Sequence, residues 1–303
     1  MGIGRSEGVA LLGHAQEIFA ARGDGVSPLY AAGANLYLAE ALVEDGELEL
    51  ARAPTEAAVA LFRDKVENTV QRTMARSVHS RFLSEVGEYR AAVKILEETR
   101  DDFIARYGPA HPNVGAMGLR IAANHMRMQD HETAIVCFQS VLGAQDQVED
   151  VYGSVKHHAQ RGIDLVRLEM GQAAAVLDAM QRHFDQYNAA PVGMRNAMVD
   201  AGVSNCFGRA LLAVGEAARA LPPLQRSVDV LLAQYPKSPT LASHRAWLGL
   251  CWHALGDTAQ ARALADLAQA ALDAQPSAGI HYRRSLARLT EKLAAEPRAA
   301  EPA

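Results

Sequence analysis

Gly215-Glu216-Ala217-Ala218-Arg219-Ala220 decides the fold, because five further segments of the chain repeat its pattern. They are Gly46-Glu47-Leu48-Glu49-Leu50-Ala51, Gly87-Glu88-Tyr89-Arg90-Ala91-Ala92, Gln129-Asp130-His131-Glu132-Thr133-Ala134, Gly171-Gln172-Ala173-Ala174-Ala175-Val176 and Gly256-Asp257-Thr258-Ala259-Gln260-Ala261. Taken in chain order, their first residues are 41, 42, 42, 44 and 41 positions apart. A glycine there ends one helix in the left-handed conformation, which other residues adopt only at an energetic cost. In several copies an acidic residue follows, suited to the free N–H groups and dipole of the next helix's N-terminus. Ala51, Ala92, Ala134, Ala220 and Ala261, five positions past the turn residue, are expected where two antiparallel helices approach too closely for a larger side chain.

The flanks agree. Before the turns lie amphipathic stretches such as Leu36, Leu38, Leu42 and Val43, or Leu248, Leu250, Trp252 and Leu255. A small residue stands seven positions before most turns: Ala39, Ser80, Ala122, Gly208 and Gly249, with Asp164 breaking the series in the fourth copy. After the turns the apolar spacing is again helical, as in Ala92, Val93, Leu96 and Phe103. Units of this kind cannot bury their apolar faces alone, so they stack. The expectation is an all-α, right-handed α-solenoid of about six antiparallel helix pairs. The pairs lie near 29–66, 67–107, 112–146, 148–188, 192–235 and 238–274, within one domain over 1–296. Helices over 6–21 and 280–295 cap the ends, and the tail 297–303 is expected to be disordered.

Composition supports helix and limits function. Of 303 residues, 49% are hydrophobic and only 6% aromatic, against the β-branched and aromatic content that strands prefer. The net charge is −5 and no basic run follows a phosphate backbone, so nucleic acid is not expected as a partner. Lys65, Lys94, Lys156, Lys237 and Lys292 are the only lysines, and the remaining positive charge is arginine, which makes forked contacts to carboxylates. Cys137, Cys206 and Cys251 read as free thiols of a reducing, cytoplasmic compartment. No apolar stretch is long enough to span a bilayer, so no membrane partner is expected. Met1-Gly2-Ile3-Gly4-Arg5-Ser6 fits the loose N-myristoylation pattern, but Ser6 is read as the N-cap of the first helix.

Six copies in phase resemble the tetratricopeptide (TPR) repeat family over roughly residues 29–273. The long spacing is closest to the 42-residue kinesin-light-chain-like variant, as is Tyr107-Gly108-Pro109-Ala110-His111-Pro112-Asn113-Val114, which resembles that variant's linker. Tyr235-Pro236-Lys237-Ser238-Pro239 is a weaker echo. The aromatic common late in the first helix is missing except at Trp252, with His125 and Arg167 in its place in the third and fourth copies. The resemblance implies a TPR-like superhelix whose first helices line a concave groove for a protein or peptide. Similar arrays occur in bacterial signalling proteins, behind a kinase or a winged-helix domain.

No phosphate loop, nucleophile elbow or HExxH motif is present, so no catalytic residue, metal or cofactor is assigned. His157-His158 are adjacent and diverge on a helix. Asp130, beside His125, His131 and Glu132, is read as a cap. The groove rule places Tyr37, Glu40, Arg81, Arg120, Arg127, Arg161, Asn205, Arg209 and Trp247 on the inner face. Asn205 matches an asparagine that such grooves use to hold a peptide backbone. The arginines form a basic stripe suited to an acidic segment or a terminal carboxylate. The opposing reading pairs them with Glu85, Glu169 and their neighbours as a solvated face. The function expected is a non-catalytic regulatory or adaptor scaffold. The alternatives are a ligand-sensing domain that controls an effector and, third, an all-α enzyme.

Overall fold

The computed structural model describes residues 5–22, 25, 27–64, 69–144, 154–191, 193 and 195–295. Gly2 and the tail 297–303 lie outside them. Fourteen α-helices and no strand occur among the described residues. The packing divides into two compact units, Met1–Val148 with Ser277–Gly279, and Glu149–Pro276 with Ile280–Ala303. The first holds α1 (Arg5–Arg22), α2 (Pro28–Asp45), α3 (Leu48–Asp64), α4 (Thr69–Val86), α5 (Tyr89–Tyr107), α6 (Pro112–Arg127) and α7 (His131–Ala144). The second holds α8 (Val155–Glu169), α9 (Ala173–Ala189), α10 (Ala197–Ala213), α11 (Ala217–Gln234), α12 (Pro239–Ala254), α13 (Thr258–Asp273) and α14 (Ile280–Ala295). Because α1 begins at Arg5, Ser6 lies inside its first turn and is not its cap.

The six turns share one geometry. Gly46, Gly87, Gly171, Gly215 and Gly256 all have φ between 78° and 89°, and Gln129 stands at 64°. In every copy the next N–H bonds back across the turn to the carbonyl five residues earlier. Glu47 to Leu42, Glu88 to Leu83, Asp130 to His125, Gln172 to Arg167, Glu216 to Leu211 and Asp257 to Trp252 are bonded at 2.8–3.0 Å. This Schellman closure satisfies carbonyls that the helix end would otherwise leave unpaired. The acidic follower caps the next helix by side chain only where it is short. Asp130 accepts from the Thr133 N–H at 3.3 Å and Asp257 from the Gln260 N–H at 3.0 Å. Glu88 and Glu216 make no side-chain cap bond.

Gln129 is the only described non-glycine residue with positive φ. A side chain there sits in a conformation disfavoured by roughly 1–2 kcal/mol, part of which glycine's greater unfolded-state entropy offsets. Gln129→Gly is therefore expected to raise stability by up to about 1 kcal/mol. Urea unfolding of the two chains measures this, and a loss of stability would contradict it.

Between turns, small residues set the helix spacing. Ala39, Ser80 and Ala122 are fully buried, as are Ala51, Ala92, Ala134, Ala220 and Ala261 on the helices that follow. A Cβ added at Gly208 would lie 2.5 Å from Leu224 Cγ and 3.3 Å from the Ala220 carbonyl oxygen. One added at Gly249 would lie 2.5 Å from Leu289 Cδ2 and 3.4 Å from the Ala261 oxygen. In the second unit this lets Leu211, Leu224, Leu231, Leu241 and Leu248 close a core from which water is excluded.

The fourth pair departs from the pattern. Asp164, in the small-residue position, is buried and meets His183 Nε2 of α9 at 3.1 Å, with Gln160 Nε2 at 3.4 Å. α9 opens with an i to i+3 bond from the Ala175 N–H to the Gln172 carbonyl, a closure that α11 shares from Arg219 to Glu216. A polar contact replaces the alanine contact of the other pairs.

Candidate functional site

Each unit carries its own set of arginines. In the first, Arg81 Nη1 meets Glu44 Oε1 at 3.2 Å and Arg127 Nη2 meets Glu85 Oε1 at 3.1 Å. Each pair joins neighbouring first helices, α4 to α2 and α6 to α4. Arg120 differs. Its Nη1 donates to Ser77 Oγ at 2.7 Å, and its Nη2 donates to the Ser77 carbonyl at 2.8 Å and Ser80 Oγ at 2.9 Å. All three acceptors are neutral. Burial, together with repulsion from Arg81 and Arg127, lowers its pKa to about 10 despite the opposing pull of Glu85. The guanidinium remains charged at neutral pH, held by α4 without a carboxylate of its own. Tyr37 is 46% exposed and Glu40 half-buried on α2, with no hydrogen bond or ion pair among the described residues linking them to these arginines.

In the second unit, Asn205 and Arg209 are one helical turn apart on α10 and share a face. Arg209 Nη2 reaches Glu169 Oε1 at 3.3 Å, and its Cζ lies 4.5 Å from the Trp247 ring centroid. Arg288 of α14 lies 5.7 Å from the same ring. A guanidinium over indole is a favourable cation–π contact. Three donors of the second unit are without acceptors among the described residues. Asn205 is buried with Nδ2 unpaired, Arg209 Nε is buried and unpaired, and half-buried Arg161 of α8 has neither hydrogen bond nor ion pair. Unmet buried donors are rare in folded proteins, because each forgoes its bond to water.

Two histidines beside these arginines are kept neutral at pH 7. His244 is buried on α12 with Nδ1 3.2 Å from Ser227 Oγ, and burial, then Arg209, lowers its pKa to about 3. His158 is lowered to about 4 by burial, then by Arg161 and His157. Cys206, beside Asn205, has its thiol pushed up by burial, and Cys251 reaches about 11 for the same reason. Cys251 is buried and the other two cysteines half-buried, all three free.

Arg81, Arg127 and Arg209 thus each have a glutamate, while Arg120 and Arg161 have none. Arg288 and His244 escape sequence reasoning. Arg288 was legible in principle: the repeat carried one period past its last turn puts it in register with Arg161 and Asn205.

Helix pairs closed by recurrent Schellman turns and small-residue contacts define a TPR-like all-α solenoid. No family model matches the chain. PlcR of Bacillus thuringiensis, solved with the peptide PapR7 and DNA, superposes with a TM-score of 0.56 at 13% identity, over 80% of this chain and 84% of that one. A Rap protein complexed with Competence and Sporulation Factor gives 0.57 at 14% identity, over 86% and 76% of the two chains. In sequence, the orotate phosphoribosyltransferase of Polynucleobacter necessarius is 26% identical over 181 residues, 55% of this chain and 78% of that protein. At that identity it assigns no activity. No described helix is long and apolar enough to cross a membrane.

Proposed function

We propose that this chain is a non-catalytic bacterial regulatory scaffold, cytoplasmic, that captures a peptide or protein segment through a carboxylate. The observation that carries the reading is the trio of unmet donors, Asn205 Nδ2, Arg209 Nε and the Arg161 guanidinium, on the unit that presents Trp247. Donors without acceptors call for an acceptor-rich ligand, and a carboxylate on guanidinium is the strongest such match. Trp247, gripped by two arginines, offers a rigid platform of the kind that dominates interface energetics. The peptides named in the PlcR and Rap complexes accord with this reading of a shared fold.

The test uses fluorescein-labelled decapeptides, acidic and neutral, each as free acid and as C-terminal amide, titrated into the full chain by fluorescence polarisation. Acidic or free-acid peptides are expected to bind, and Arg161→Glu to weaken them about 10–100-fold, the range of one charged hydrogen bond plus repulsion. Arg161 has no partner to lose, so helicity by circular dichroism should not change. Equal binding of acid and amide, or indifference to Arg161→Glu, would overturn the reading. A second reading, a domain that senses a small ligand, is favoured by a cavity in the first unit.

A further inference from the structure

That cavity, of about 510 Å³, opens among α4, α5 and α6 of the first unit. Its size lies in the range of small-ligand sites. Val70, Met74 and Ser77 line it from α4 at one-turn spacings, and Met117 from α6. Thioether side chains adapt to the outline of a flat guest.

Three rings form its other wall. Tyr107 and His111 stack with centroids 4.8 Å apart at 27°, and Phe103 lies 5.8 Å from His111 at 11° and 5.9 Å from Tyr107. His111 also caps α6: its Nδ1 accepts from the Asn113 N–H at 3.2 Å. The neutral ring therefore carries its proton on Nε2 and can donate a hydrogen bond. Tyr107 is 59% exposed, an aromatic face without a cover among the described residues.

Of the two charged residues in the lining, one is paired among the described residues. Asp102, the carboxylate in the lining, is held by Arg76 at 2.9 Å. Arg106, also in the lining, has no hydrogen bond or ion pair among the described residues. Behind Ser77 sits Arg120, bonded to that residue at 2.7 and 2.8 Å and to no carboxylate. Arg106, without an ion pair among the described residues, thus faces a pocket whose rings and methionines alternate with the polar side chains Ser77, Thr99 and Asn113.

We infer that this cavity binds a planar aromatic carboxylate of one or two rings, its ring against Tyr107, Phe103 and the methionines and its carboxylate on Arg106. A neutral ring would leave Arg106 unmet, and a compact inorganic anion would leave the rings and methionines unused. The inference concerns the first unit and stands whether or not the second unit captures peptides.

The probes are 2-naphthoate and 2-naphthamide, titrated into the full chain by calorimetry and ligand-observed saturation-transfer NMR. Naphthoate is expected to bind saturably with one site per chain, and the amide at least tenfold more weakly. Arg106→Gln should remove that difference, and Tyr107→Ala should weaken both ligands; both residues are exposed, so the fold should persist. Arg161→Glu, in the second unit, should leave naphthoate binding unchanged, which separates this site from the peptide site. No saturable binding, equal binding of acid and amide, or naphthoate binding untouched by Arg106→Gln would each overturn the inference. So would saturation of the Tyr107 wall only by an aromatic residue within a peptide, which would make the occupant a protein segment.

Discussion

Ala220→Leu is expected to lower the stability of the second unit by about 1–3 kcal/mol, the usual penalty for forcing methylene groups into a filled core. Ala220 has no exposed surface, and its carbonyl would lie 3.3 Å from any Cβ placed on Gly208. The backbones of α10 and α11 are therefore near their closest approach there. Leu224, one turn further along α11, already fills the space beside Gly208. A leucine at 220 must either displace Leu224 or separate the helices, and separation exposes Leu211 and Leu231 from the core they share. Ala92→Leu repeats the experiment in the first unit, where Ala92 is equally buried. Ala218→Leu, an exposed position on the same helix as Ala220, is the control and should change stability by less than about 0.5 kcal/mol. Urea denaturation followed by circular dichroism reads all three. Neutral results at both 92 and 220 would mean that these alanines do not set the helix spacing.

The fold was legible because its determinants are local. A glycine at positive φ, the Schellman bond after it and the small residue five positions on all lie within a few residues of each turn, so a period near 42 exposed them together. Gln129 could be placed without its glycine because the phase of its neighbours fixed it. The fourth pair resisted for the opposite reason. Asp164 meets His183 across 19 residues, and nothing in a repeat template announces a polar contact in the small-residue position. The site was half legible. Spacing picked out the first-helix arginines, but which of them has a glutamate is set by contacts between repeats. Glu44 lies 37 residues from Arg81 and Glu169 lies 40 from Arg209. Arg120 shows the cost of reading charge without packing. Reversing it together with Arg81 and Arg161 would sever its three bonds to α4, so loss of capture in that variant would not isolate recognition. Arg161 alone is the cleaner probe.

Acidification from pH 7 to 5 is expected to destabilise the second unit by about 2 kcal/mol through His244 alone. In the unfolded chain this imidazole takes up a proton near its ordinary value of 6.5, whereas burial and the nearby Arg209 hold it neutral in the fold until about pH 3. Between those values the unfolded state binds more protons than the folded one, so stability falls as pH falls, by about 1.4 kcal/mol per unit. The contribution is complete above pH 6.5 and exhausted below about 3. His158, neutral to about pH 4, acts in the same direction but is only half-buried, so water screens part of its share. Asp130 has its pKa held below the usual value by its bonds to Thr133 and His125, so its effect belongs to a more acidic range and does not obscure this window. Urea midpoints at pH 7, 6 and 5 measure the slope, and His244→Asn, which removes this titrating group, should make it shallower by about 1 kcal/mol per unit, leaving the smaller share of His158 and of His79, which burial also lowers. An unchanged midpoint across that range would mean that His244 accepts its proton in the folded state, beside the arginine that the proposed ligand is meant to neutralise.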